Sequence, residues 1–367
     1  MNERRKREVA VPLSPVVDPA DWGPDELKGR EDWIYRLGDA EIAELDGAVH
    51  EAKSAGTNIL EIRSDTFQLP HLERMLQDMR HELMDGFGVA HLRNVPVHRY
   101  DRLESIIALW IISTHLGKPV PQNRLGHMLG HVRSLGRAGM EVHANRAYHI
   151  TGDALPFHPD SCDVVGLLSL TVAKSGGLTR FVSSVRVYNE LLKRRPDLVE
   201  VLCRPFYRDR REEIPEGKGP YFAMPVFMFH EGHLIVSYQG TYLHTAQRFE
   251  NLPRFTDLEK EALKVIAALA EELCLEMPFE VGDIQFLHNH VIMHARTPYE
   301  DFAEENKKRH LLRMWLNTPN GRPLPPPYCE KSYLPVPANG RPIPGVYFRG
   351  VEPKIPIEPE APDAPHG

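Results

Sequence analysis

The chain has 367 residues, with 44 lysines and arginines against 51 aspartates and glutamates, a formal charge of −7, and 42% hydrophobic residues, the balance of an ordinary globular protein. An acidic balance with no strongly basic stretch argues against a nucleic-acid surface, and the longest apolar runs, Ile106 to Ile112 and Val164 to Val172, are too short to span a bilayer. Four widely spaced cysteines (Cys162, Cys203, Cys274, Cys329) form no CxxC pair, and the charged N-terminus lacks the apolar core of a secretion signal, so the expected setting is the reducing cytoplasm.

Residues 1–65 read as a lead segment rich in Pro, Gly and acidic residues, with one helix expected from Asp39 to Ala55. Leu72, Met75, Leu76, Met79 and Leu83 then recur at helical spacing and stop at Gly86. Val89 to Val97 reads as a strand. Asp101 and Glu104 form a capping box for a further helix with the stripe Leu103, Ile106, Ile107, Trp110, Ile111, ending near Gly117. Both helices are expected to clothe a sheet.

From 127 to 318 the pattern becomes strand-like. Val164 to Val172 is of buried-strand type, Met224–Phe229 and Leu234–Tyr238 flank a Glu231-Gly232 turn as a hairpin, and Phe279–Leu287, broken at Gly282-Asp283, reads as another. Two helices interrupt, about 186–195 stopped by Pro196, and about 257–273 opened by a Thr256/Glu259 capping box. Residues 66–318 are therefore expected to form one mainly β domain with helical cladding, a sandwich or jelly roll. Fourteen of the 32 prolines fall in 319–367, which predicts an extended C-terminal tail outside the sheet. The tail contains a short echo, Asn320-Gly321-Arg322-Pro323-Leu324-Pro325 and Asn339-Gly340-Arg341-Pro342-Ile343-Pro344, too brief for a repeat architecture.

The residues that could carry chemistry start at Phe157-His158-Pro159-Asp160. In extended chain, positions i and i+2 project to one face, so His158 and Asp160 can offer an imidazole and a carboxylate to a common point. The other such pair, His71 and Glu73, sits on an amphipathic helix and reads as surface. A third ligand must come from elsewhere, and the strand-rich segment 284–316 offers His288, His290 and His294. Further on, Arg309, Leu311, Arg313 and Trp315 share one face of a strand, and His310, Leu312, Met314 and Leu316 the other. If both faces are buried, two guanidiniums point inwards and need an anion, either a carboxylate of the protein or a ligand. Asn145, Arg146 and Tyr148, just upstream of the His-x-Asp segment, are candidate substrate contacts beside the reading as ordinary strand residues. Arg210 and Arg211 could meet an acidic substrate, and Tyr238-Gln239-Gly240-Thr241-Tyr242 could add a polar wall.

Four ordered motifs, Phe157-His158-Pro159-Asp160, Gly176-Gly177-Leu178-Thr179, His294-Ala295-Arg296 and Arg309-x-x-x-Arg313, resemble the TauD/TfdA family of taurine-dioxygenase-like Fe(II)/2-oxoglutarate-dependent oxygenases over about residues 70–318. The resemblance implies a double-stranded β-helix, a cupin-like jelly roll with the metal at its mouth. It implies His158, Asp160 and His294 as iron ligands, with Arg309 on the distal carboxylate of 2-oxoglutarate assisted by Thr179. It also implies Arg313 in contact with the cosubstrate or with an anionic substrate. The implied reaction consumes 2-oxoglutarate and O2, oxidises a C–H bond of a small organic substrate, and releases succinate and CO2.

Phe157 stands where taurine dioxygenases tend to carry Trp, and an acidic insert, Glu300-Asp301-Phe302-Ala303-Glu304-Glu305, lengthens the stretch between His294 and Arg309. These departures point away from taurine itself. Two other classes fit parts of the pattern. One is a zinc hydrolase on a cupin-like barrel, which the paired arginines 309 and 313 speak against. The other is a non-catalytic interaction protein working through its proline-rich tail. The expected partner is a small-molecule substrate, with no nucleic acid and no membrane, and the sequence leaves a homo-oligomer open.

Overall fold

A computed structural model of the protein describes residues 6–134, 152–318, 320–331 and 341–359. Two sheets face each other. The larger runs in the order Ile34–Arg36, Val89–Arg93, Ile284–His288, Val164–Thr171, His310–Asn317 and Lys118–Pro119, with Leu129–Val132 also paired to His310–Asn317. Its pairs are antiparallel except the one joining Ile34–Arg36 to Val89–Arg93. The smaller sheet is antiparallel, in the order Leu275–Met277, Thr179–Ser183, Ile292–Arg296, Leu155–His158. This is the jelly roll expected from the sequence.

The period-two reading of His310–Asn317 holds. Leu311 and Trp315 pack into the core between the sheets, while Leu312, Met314 and Leu316 pack outwards under helices. That outer core is covered by the helices Asp39–Ser54, Pro70–Asp85 and Arg102–Leu116. The last opens with the expected capping box, in which Glu104 N donates to Asp101 Oδ1 at 2.8 Å and Asp101 N donates to Glu104 Oε2 at 2.7 Å. It is buried almost all round from Ser105 to Ser113, as suits a run with so few polar positions. Among the described residues no helix is long and apolar enough to cross a membrane.

Four local readings need correction. The strand after Gly86 ends at Arg93, because Asn94 turns to φ 70° and Val97–Arg99 forms a short 3-10 turn. Pro196 does not merely stop a helix: Ser184–Arg194 ends before it, and Pro196 opens Pro196–Leu202, where its missing N–H costs nothing. The Glu231-Gly232 hairpin is real but shorter, Phe227–His230 with His233–Val236, and Met224 belongs to a separate hairpin with Phe206–Asp209. Phe279–Leu287 is no hairpin. Gly282 (φ 87°) instead lets the chain cross from Leu275–Met277 in the smaller sheet to Ile284–His288 in the larger.

The described parts of the tail lie against the domain. Val346 N donates to Pro121 O, and Lys354 bridges to His127 with Lys354 N on Gly126 O, all at 2.9 Å for the hydrogen bonds. The lead is equally engaged, with Ala10 N on Gly232 O at 2.8 Å and Trp22 fully buried, its Nε1 donating to Phe87 O.

Candidate active site

His158 ends one strand of the smaller sheet and His294 lies in the middle of its neighbour, directly opposite in register. Their ring centroids are 4.4 Å apart. Asp160 follows two residues on, just past the strand end, and its Oδ1 comes to 3.8 Å from His158 Nε2. One donor atom from each of the three lies within 4.8 Å of the others, the only such group among the described residues.

The surroundings leave each ligating atom free. His158 Nδ1 sits 2.8 Å from the carbonyl of Pro156, which can only accept, so the proton is on Nδ1 and the Nε2 lone pair faces Asp160. Asp160 Oδ2 accepts from Trp315 Nε1 at 2.9 Å, leaving Oδ1 for the centre, and Asp160 N donates to Asn289 Oδ1 at 2.9 Å. Burial, above all, keeps His158 below the usual imidazole range and holds His294 at about 3, where the neighbouring His158 ring adds to it. Both are neutral, the ligating form. Burial works against ionising Asp160, but the Arg313 charge, the two imidazoles and the Trp315 hydrogen bond together hold its carboxyl below the usual range.

Two cavities meet here, sharing Leu155, His158 and Arg313. One, of about 470 Å³, lies between the sheets and is lined by His294, Thr179, Arg296 and Arg309 among apolar walls that include Val132, Leu167, Phe279 and Leu311. Arg309 is 4% exposed, its Nη1 has no hydrogen-bond partner among the described residues, and its guanidinium stacks on Tyr299 at 5.1 Å. Burial, and next the charge of Arg296, pushes its pKa down to about 10, so it stays cationic at neutral pH. Gly177 (φ +68°) passes so close that a Cβ there would sit 3.1 Å from Arg309 Nε. The acidic insert turns out to be structural: Asp301 Oδ1 accepts from Arg309 N at 2.7 Å and fixes where that side chain starts. Thr179 Oγ1 lines the same cavity and donates to Gln285 Oε1 at 2.8 Å.

The other cavity, of about 630 Å³, is lined by Asp160, Ser161, Trp315, Arg211 and the run Gln239–Tyr242. Arg211 has φ 53° and lies over the Tyr242 ring at 5.2 Å, whereas Arg210 turns away to Phe222 and Gly219 O. Arg313 stands between the cavities, its Nε donating to Gln122 Oε1 at 2.8 Å and its Nη1 3.7 Å from Asp160 Oδ1.

The donor set of two neutral imidazoles and one carboxylate suits Fe(II) with open positions, and a buried guanidinium with an orphaned N–H group beside it suits a carboxylate ligand. The sequence profile described as "Taurine catabolism dioxygenase TauD, TfdA family" matches residues 52–315. The chain belongs to the TauD/TfdA family. It is an Fe(II)/2-oxoglutarate-dependent dioxygenase, and the hydrolase and interaction-protein readings fall away. FR-33289 synthase of Streptomyces rubellomurinus is 29% identical over 322 residues, 86% of this chain and 94% of that one. Taurine hydroxylase-like protein SAT17 of Stachybotrys chartarum is 32% identical over 322 residues, 84% and 81% of the two. The fold is shared with asparagine oxygenase in complex with Fe(II), 2S,3S-3-hydroxyasparagine and succinate, at TM-score 0.59 and 18% identity over 78% of this chain and 94% of that one. It is shared also with the non-heme iron oxygenase OrfP in complex with Fe and alpha-ketoglutaric acid, at TM-score 0.58 and 15% identity, with the same coverage.

The other sequence candidates separate cleanly. His290 is paired with Asp163 at 2.7 Å, His288 is buried apart from the centre, and His71 is an exposed partner of Glu44. Asn145, Arg146 and Tyr148 lie outside the described residues. Trp315, Asn289 and Gln122 were not singled out for the site. Trp315 had a signal, since it shares its strand face with Arg309 and Arg313, while Asn289 and Gln122 had none.

Proposed function

We propose that His158, Asp160 and His294 hold the ferrous ion, that Arg309 and Thr179 hold the distal carboxylate of 2-oxoglutarate, and that the cavity beyond Arg313 takes a small anionic substrate. The convergence of the three donor atoms within 4.8 Å, with the buried Arg309 guanidinium and its unpartnered Nη1 in the adjoining cavity, carries this reading. The chemistry supplied at that centre is oxygen activation coupled to decarboxylation of 2-oxoglutarate, with oxidation of a substrate C–H bond, most simply hydroxylation.

The chain's own residues do the rest. The Pro156 carbonyl fixes the His158 tautomer and the Trp315 indole pins one carboxylate oxygen, so the ligands meet the metal already oriented. Arg309 gives an incoming carboxylate a desolvated cation in a site whose apolar walls exclude water. The Thr179 hydroxyl can turn from Gln285 to donate to that carboxylate. Arg211, on the far side of His158, is placed for an acidic group of the substrate, and Arg313, between the cavities, for either ligand.

Asparagine oxygenase and OrfP hold hydroxylated amino acids in their structures, which supports amino acids as one substrate class to try. The catalytic unit is taken as residues 66–318, with 1–65 and 319–367 as additions, and the location as cytoplasmic on the strength of the widely spaced cysteines. The test is a panel of small amino acids, sulfonates, aryloxy acids and betaines, scored by substrate-dependent succinate release. An anionic member should accelerate release and its neutral amide or ester should not. Acceleration by neutral compounds alone would remove the anionic-substrate reading.

A further inference from the structure

The oxygenase reading leaves one sequence feature unused, the tail's echo of Asn320-Gly321-Arg322-Pro323 in Asn339-Gly340-Arg341-Pro342. The two arginines of the echo make the same kind of contact in two places. Arg322 Nη2 donates to the buried Asp18 Oδ2 at 2.9 Å and its Nη1 to Leu234 O at 2.9 Å. Arg341 Nη2 donates to the fully buried Asp163 Oδ1 at 2.9 Å and its Nη1 to Asn317 Oδ1 at 3.1 Å. Arg341 Nε also donates to Arg322 O at 3.1 Å, joining the two copies. The first clasp fastens the tail to the lead. The second fastens it to the loop that carries the metal motif.

Asp163 stands three residues beyond Asp160. Its Oδ1 also faces His290 Nε2 at 2.7 Å, and its Oδ2 accepts from Thr318 N at 2.7 Å and the Thr318 hydroxyl at 3.1 Å. A second tail residue supports the same group, with the Tyr328 hydroxyl 3.1 Å from His290 Nδ1. Two short routes lead from this carboxylate to the metal ligand. Asn289 N donates to Asp163 O, and Asn289 Oδ1 accepts from Asp160 N, each at 2.9 Å. On the other side Arg341 grips Asn317, two residues along the same strand face from Trp315, whose indole pins Asp160 Oδ2. A carboxylate this buried needs its cation, so the clasp is a demanding fit rather than a surface contact.

We propose that Arg341 is a positioning residue for the iron centre: its clasp on Asp163 and Asn317 locks the loop 158–163 and the Trp315 strand into the geometry in which Asp160 ligates, while Arg322 only ties tail to lead. This rests on His158, Asp160 and His294 being the ligands. Groups that orient metal ligands from behind commonly govern affinity by ~10–100-fold, and that is the scale expected here.

The experiment titrates the full-length, metal-stripped protein anaerobically with Fe(II) alone, by calorimetry, alongside thermal unfolding. Wild-type binding that is lost in His294→Ala establishes the ligand set first, and its absence would sink that assignment rather than the clasp. Arg341→Met should weaken Fe(II) binding by ~10–100-fold, and Arg322→Met should lower the unfolding temperature with Fe(II) affinity at the wild-type value. Arg341→Met leaves Asp163 buried without its cation, so the double variant Arg341→Met/Asp163→Asn is measured as well. Neutralising both should recover thermal stability but not Fe(II) affinity. Arg341→Lys keeps the charge, cannot fork to Asp163 and Asn317 together, and should fall between Arg341→Met and wild type. Wild-type Fe(II) affinity in folded Arg341→Met or in the double variant, or an equal loss in Arg322→Met, would overturn the proposal.

Discussion

Replacing Arg309 by Met should cost the enzyme its cosubstrate while leaving the ligand-free protein as stable as before. Arg309 is 4% exposed, and no carboxylate of the described residues forms an ion pair with it. Burial and the Arg296 charge depress its pKa to about 10, a penalty on the order of a few kcal/mol that applies at every pH below that value. Methionine keeps most of the stem and the contact beside Gly177 but loses the stacking on Tyr299, worth about 1–2 kcal/mol. The two effects oppose each other, so the metal-loaded, 2-oxoglutarate-free protein should unfold within a few degrees of wild type. Binding is another matter. Two charge-assisted hydrogen bonds at ~1.5–3 kcal/mol each give ~3–6 kcal/mol, or roughly two to four decades in Kd. Saturating 2-oxoglutarate at 100 times Kd stabilises wild type by ~2.7 kcal/mol, and that increment should vanish in Arg309→Met. The assay is thermal unfolding with and without 2-oxoglutarate, plus an anaerobic titration for Kd. An Arg309→Met protein that is ~3–5 kcal/mol less stable without ligand would mean the guanidinium is a structural ion-pair partner, and the reasoning would be refuted.

Gly177→Ala places a Cβ 3.1 Å from Arg309 Nε at a φ of +68°, so it should raise KM for 2-oxoglutarate by ~10-fold, the worth of one charged hydrogen bond, without changing Fe(II) affinity. An equal loss of both would point to general misfolding. Arg211→Leu should raise KM for an anionic substrate by ~10–100-fold and leave KM for 2-oxoglutarate alone, because it lines only the cavity away from Arg309. A change in the 2-oxoglutarate constant alone would contradict the division of the two cavities. Burial, above all, holds His294 at about 3 and His310 at about 2, below the unfolded value, so the unfolded chain takes up protons that the native one refuses. Stability of the metal-free protein should therefore be level above about pH 7 and fall below about 6.5, by ~1.4 kcal/mol per pH unit for each such imidazole. An unfolding temperature that stays flat down to pH 5 would show that these rings are not buried neutral.

What could be read in advance was whatever follows from local rules. Capping boxes at Asp101/Glu104 and Thr256/Glu259 placed two helix starts correctly, because the cap is satisfied within four residues. Alternation in His310–Asn317 assigned each side chain to its face, because both sides of that strand are buried in different cores. His158, Asp160, His294, Arg309 and Thr179 stand out in the sequence as members of ordered motifs, and the fold gathers the first three and lines the adjoining cavity with the other two. The misreadings were of long-range events. Gly282 marks a turn in any sequence, but nothing nearby says that the chain leaves one sheet for the other there. Asn289 and Gln122 matter only through partners 129 and 191 positions away, Asp160 and Arg313, and a polar residue in a turn or loop carries no trace of such a partner. Arg322 and Arg341 were visible as an echo, yet their meaning depends on two buried aspartates that sequence could not distinguish from surface ones.

The central claim is that three side chains from separate parts of the chain converge on one ferrous ion with 2-oxoglutarate beside it. Its most direct test is the weak visible absorption of the Fe(II)–2-oxoglutarate chelate under strict anaerobiosis. The band should appear in wild type at one equivalent of Fe(II) only when both components are present, and disappear in His158→Ala, Asp160→Ala and His294→Ala. A band that survives in all three variants, or none in wild type, would contradict the account.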